Sequence, residues 1–116
     1  MTYERRARGM LPHIHIAGTD FTVDLRLRQL RQTERPWNQI DIDRGDLSPD
    51  EQWFLLAYDT ETHEQVELLA DIAEEADTVV FIKIPTAERL DPYAYGKQWG
   101  EDPELYVNEH PFEQKT

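Results

Sequence analysis

His13 and His15 stand two residues apart, and in an extended strand that spacing sends both imidazoles to the same face. Two such rings begin a zinc-type site, which needs further donors such as His63, His110 or a carboxylate. Nothing in the local sequence brings those donors near, and the helical HExxH pattern is absent. The simpler expectation is a polar sheet face, with the histidines beside Thr22, Asp24 or Arg26 of a neighbouring strand. No metal ligand or cofactor site is therefore assigned, and a small metal-dependent enzyme using His13 and His15 stands as a further alternative.

Asp41, Asp43, Asp46, Asp50 and Glu51 form the densest group of carboxylates. A calcium loop requires glycine at its sixth position and glutamate at its twelfth. Counted from Asp41, those positions hold Asp46 and Gln52, so the acids read as a solvated loop and helix caps. Arg44-Gly45-Asp46 spells an adhesion tripeptide, taken as coincidence in a chain that shows no export signal. Glu74, Glu75 and Asp77 read as the solvent face of a helix rather than as paired acids. Ser48 has no base beside it and reads as a helix cap, and the five scattered glycines form no phosphate-cradling loop. With no cysteine, disulfides, thiol catalysis and thiolate metal sites are all excluded. The reading is of a protein without catalytic residues.

Aromatic residues give the sharper signal. Trp37, Trp53, Trp99, Tyr93, Tyr95, Tyr106 and Phe112 are many for a chain of 116 residues, and several lie among acids in its last third. They pack a core, or they anchor a partner, because protein interfaces favour Tyr and Trp. Tyr95 and Trp99 fall four apart on one helix face, with Tyr106 beyond them. These three are the candidate partner-binding residues.

The elements that position these groups start at Leu11–Leu30. Ile14 and Ile16 alternate with the histidines, and Phe21, Val23, Leu25 and Leu27 alternate with polar residues after a glycine-centred connector at 17–20. Period two predicts a hairpin of half-buried strands over Leu11–Leu27. Residues 1–10 read as a flexible basic arm, and 32–36 as a turn before a short strand with Ile40 and Ile42. Ser48-Pro49-Asp50-Glu51 carries the marks of a helix start. Phe54–Tyr58 reads as a strand after one helical turn. A helix is expected from His63 to Ala76, although Gln65–Leu69 also suits the return strand of a hairpin with Phe54–Tyr58. Thr78–Ile84 is β-branched and predicts a strand ended by Pro85. Asp91-Pro92 opens a last helix over 91–99, closed by Gly100. Residues 101–116 are acidic yet keep Leu105, Tyr106, Val107 and Phe112, which predicts partial docking on the domain or on a partner.

Charge divides the chain. Seven arginines face four acids in residues 1–35, a balance of +3, whereas five basic and twenty acidic residues give −15 over 36–116. The total of −12 opposes direct binding to nucleic acid, whose phosphates would be repelled. It also supports the second functional reading, an acidic DNA-mimic decoy that occupies a nucleic-acid-binding protein. The apolar runs are far too short for a membrane span, and Leu11–Ile16 is no signal-peptide core.

Leu11-Pro12, Ile14 and Ile16, Gly18, Phe21, Val23-Asp24, Arg26-Leu27 and Leu30-Arg31 form one set of residues, and Ile84-Pro85 with Leu90-Asp91-Pro92 a second. Together they resemble small uncharacterised proteins carried on conjugative and other mobile elements of gut bacteria. That resemblance implies a cytoplasmic location and an accessory role, and transfers no functional residue. The expectation is a single α+β domain over 11–100: an antiparallel sheet founded on the N-terminal β-hairpin, with one or two covering helices near 63–76 and 91–99. Its expected function is a non-catalytic protein-interaction module, self-associating or docking on a larger protein.

Overall fold

Alternation in the opening stretch is resolved as period two requires. Strands β1 (His13–Ile16) and β2 (Thr19–Asp24) pair antiparallel, with Ile14 opposite Phe21 and His15 opposite Asp20. The turn between them, Ala17-Gly18, has φ of +49° and +83°, the left-handed pair that matches the twist of a two-residue hairpin. The computed structural model describes residues 1–66 and 77–112. Strand β2 stops at Asp24 rather than at Leu27. The Asp24 carboxylate accepts the Leu27 N–H at 3.3 Å and Arg31 Nη1 at 2.7 Å, closing a local turn that ends at Arg28 with φ +56°. Leu25 still folds into the core, while Leu27 faces solvent.

β3 (Gln29–Gln32) and β4 (Arg35–Asp41) complete a four-stranded antiparallel meander in the order β1-β2-β3-β4. Pro36 is tolerated because β4 lies at the edge of its sheet. A 3₁₀ turn at Ile42–Arg44 then buries Ile42 and leads into a second sheet. Its strands are β5 (Asp46–Leu47), β6 (Trp53–Asp59), β7 (Glu64–Val66) and β8 (Val79–Pro85). β8 pairs with β6 from Trp53 to Asp59, and β5 and β7 pair with its two ends, β5 at Phe54–Leu55 and β7 at Ala57–Asp59.

Three sequence expectations change here. Ser48–Glu51 starts no helix. The Ser48 hydroxyl donates to Asp50 at 2.5 Å and accepts the Trp53 N–H at 3.2 Å, and Glu51 has φ +59°, so the segment is the turn of a hairpin. The same hydroxyl and carboxylate serve either purpose; the run at 53–58 has no helical stripe, and the strand prevails. At 64–66 the chain forms β7, the return strand, in place of the start of a helix; residues 67–76 of the expected helix lie outside the described residues. Finally, Phe54–Tyr58 and Thr78–Ile84 do not extend the opening hairpin's sheet but build their own.

Side chains bridge the two sheets at the β4/β7 edges. Gln65 Oε1 accepts the Asp41 N–H at 2.9 Å, and Gln65 Nε2 donates to the Asp41 carbonyl at 3.1 Å. One side-chain amide thus takes both backbone groups, as a neighbouring strand would. Asn38 Nδ2 adds a bond to the His63 carbonyl at 2.7 Å. The apolar faces meet in one core of Ile14, Ile16, Phe21, Val23, Leu30, Ile40, Leu56, Tyr58 and Ile84, with Phe21 and Tyr58 packed edge to face at 6.2 Å.

Among the described residues four short helices lie with these sheets: α1 (Tyr3–Ala7), α2 (Ala87–Leu90), α3 (Pro92–Gln98) and α4 (Pro103–Glu109). The chain is therefore a single α+β domain. Asp91 caps α3 by accepting the Ala94 N–H at 3.2 Å, with Pro92 at the first helical position. Residues read as a flexible arm instead form α1, capped by Thr2 and tied to Asp91 through Arg6 Nε at 3.1 Å. Val107 and Phe112 are buried, so the acidic C-terminal segment packs on the domain as far as it is described. Among the described residues no helix is long and apolar enough to cross a membrane.

Candidate functional site

Strand β1 sends His13 and His15 to one face, and the hairpin register brings Asp20 against both. His13 Nδ1 lies 2.6 Å from Asp20 Oδ2 and His15 Nε2 lies 3.4 Å from Oδ1. The Thr33 hydroxyl donates to Asp20 Oδ2 at 2.5 Å and lies 3.0 Å from the Thr22 hydroxyl. Burial pushes the Asp20 carboxyl up, but the Thr33 hydroxyl and the His13 ring outweigh it and hold it below the ordinary range. Asp20 thus stays ionised and orients the two imidazoles. Of the neighbours expected from sequence, Thr22 joins this network, whereas Asp24 turns to Arg31. Asp20 is the residue that the sequence pattern misses, because it falls in the expected connector. A two-residue turn at 17–18 is the signal that places it opposite His15.

The other two histidines do not join them. Nδ1 of His63 is 3.1 Å from the Tyr58 hydroxyl and 3.2 Å from the Thr19 hydroxyl, while His63 itself has φ +63°. His110 stacks on Tyr106 at 4.4 Å. A polar cleft of 560 Å³ lies between His15, Asp20, Arg35, Glu61 and His63. Among the described residues no three His, Asp or Glu side chains are arranged to hold a metal ion. The histidine face is a hydrogen-bonded network centred on Asp20.

Helices α3 and α4 bring the three candidate partner-binding residues together. Ring centroids of Tyr95 and Trp99 are 6.2 Å apart, and those of Tyr95 and Tyr106 are 5.9 Å apart. Gly96 makes this possible: a Cβ there would fall 2.8 Å from Tyr106 Cβ, so only glycine lets α4 come so close. Tyr95 rests against the core, whereas Trp99 is 68% exposed and Leu105 on α4 is 63% exposed. Carboxylates surround the cluster. Burial, then the charges of Glu88, Glu101 and Glu109, push the Tyr106 hydroxyl above its ordinary range. The result is a layer of rings anchored on one side and open on the other, with an acidic rim.

In comparisons with protein-family models, curated proteins and solved structures, nothing matches this chain.

Proposed function

We propose that this chain is a non-catalytic protein-interaction module that self-associates through the aromatic cluster of Tyr95, Trp99 and Tyr106. The observation that carries this reading is the exposure of Trp99, 68%, directly beside rings already fixed by the core. A large aromatic in water beside a rigid base gains much when a partner covers it and loses little side-chain entropy. The accessory, cytoplasmic setting implied by the resemblance to mobile-element proteins belongs to the same proposal. A second reading, the DNA-mimic decoy, draws on the balance of −15 over residues 36–116.

Light scattering coupled to size-exclusion chromatography, at low and high salt, separates the two. An aromatic interface gives a dimer that persists at high salt, because burial of apolar surface is not screened. Trp99→Ala should return that dimer to monomer without changing the far-UV circular dichroism. A monomer at both salts overturns self-association, and a partner captured from a cell extract and released steeply by salt would favour the decoy.

A further inference from the structure

A second surface lies where α3 meets α1 and the turn after β2. Arg6 and Ala7 of α1, Leu25, Arg26 and Arg28 of that turn, and Tyr93, Ala94 and Lys97 of α3 line one open groove of 720 Å³. Four cationic side chains from three separate elements meet there, in a chain with net charge −12. Two of them already have ion-pair partners. Arg6 is held by Asp91 and lies over the Tyr93 ring at 4.8 Å, and Arg28 Nη2 is 2.9 Å from Asp43. Arg26 and Lys97 take part in none of the ion pairs among the described residues. Lys97 Nζ lies 5.9 Å from the Tyr93 centroid.

We infer that this groove is a binding site for a small organic anion, one with a carboxylate or phosphate head and an apolar or aromatic body. The head follows from the guanidinium and ammonium groups, which supply forked donors and charge to an oxyanion. The body follows from Leu25, Ala7, Ala94 and the Tyr93 ring, a floor that a bare inorganic anion would leave uncovered. The volume suits a small molecule and is far larger than one phosphate. Because Arg6 is already held by the buried Asp91, that cation needs no ordering on binding. The long-range acidic field works against capture of any anion, so the site relies on short-range contacts and on the apolar body.

The test is titration of the full chain with phenyl phosphate and with phenylacetate at low salt, read by amide chemical shifts and calorimetry. Inorganic phosphate and a short oligo-glutamate peptide are run alongside. Saturable shifts confined to the amides of Gly9, Leu25, Ala94 and Lys97, with at least tenfold weaker binding in Arg26→Ala and Lys97→Ala, are expected. Neither side chain belongs to an ion pair among the described residues, so these variants should keep the parent's far-UV circular dichroism and a cooperative thermal transition, which separates lost binding from lost folding. No saturable shift with either aryl anion, or shifts unchanged in both variants, overturns the inference. Equal affinity for inorganic phosphate overturns the role of the apolar floor. Binding of the peptide alone would overturn the small-anion assignment and give the groove to an acidic protein segment. None of these outcomes depends on whether copies associate through Trp99.

Discussion

Asp91 shows at the scale of one residue how this fold uses its charges. Its side chain is fully buried, caps α3, and meets Arg6 Nε at 3.2 and 3.1 Å from its two oxygens. Burial pushes the carboxyl up, and Arg6 opposes this only in part. A raised folded-state value means that this group's contribution is full below the unfolded pKa and is lost as pH rises through the folded one. Removing Arg6 takes away the opposing charge. Arg6→Ala should therefore cost about 3–5 kcal/mol at neutral pH, the usual penalty for stranding a buried charge. In urea unfolding that deficit should shrink as the pH is lowered and Asp91 takes a proton. A deficit that is small, or independent of pH, would mean that α1 contributes nothing through this pair. Asp91 as a cap is legible from the Asp-Pro pair, but its partner is not, because eighty-five residues separate them and only packing joins them.

At the scale of elements, the join between the sheets depends on Gln65. Its amide takes both backbone groups of Asp41, at the edge where β4 has no further strand of its own sheet. Gln65→Leu keeps the size and leaves both groups without that partner, for an expected loss of about 1–3 kcal/mol. Hydrogen exchange at the Asp41 amide should accelerate in that variant, with the β1–β2 amides following only through the global loss. If Asp41 stays as protected as in the parent chain, water or another group replaces the side chain and the join lies elsewhere. Sequence patterning finds the strands here better than it finds their neighbours. Period two marks a strand's faces, but Phe54–Tyr58 is apolar on both, and nothing local says which sheet it will enter. Ser48–Glu51 misleads for a related reason: a capping signature names hydrogen bonds that a tight turn can also make.

For the whole molecule, electrostatics outside the core is dominated by self-repulsion among 24 acids against 12 basic residues. Arg31–Asp24 and Arg6–Asp91 are partly or wholly buried, whereas Arg28–Asp43 and Arg44–Asp41 are exposed pairs of the kind worth little. Screening should then relieve more repulsion than attraction. Raising NaCl from about 10 mM to about 1 M shortens the Debye length from about 30 to about 3 Å. The thermal midpoint should rise by a few degrees, on the order of 1 kcal/mol. A fall would show that the surface pairs outweigh the net charge.

By itself the sequence determined the α+β class, the opening hairpin, the strand ended by Pro85, the Asp91-Pro92 helix start and the polarity of the histidine face. Each of these is a local pattern of period, cap or turn, read within a few residues. Only the tertiary structure decided the rest. It split the strands into two sheets, docked the basic start as α1, and set Asp20 between His13 and His15. It also gathered Tyr95, Trp99 and Tyr106 into one cluster and four cations into one groove. Those outcomes depend on contacts between residues distant along the chain, such as Gly96 against Tyr106 and Arg6 against Asp91, whose closeness no local pattern encodes.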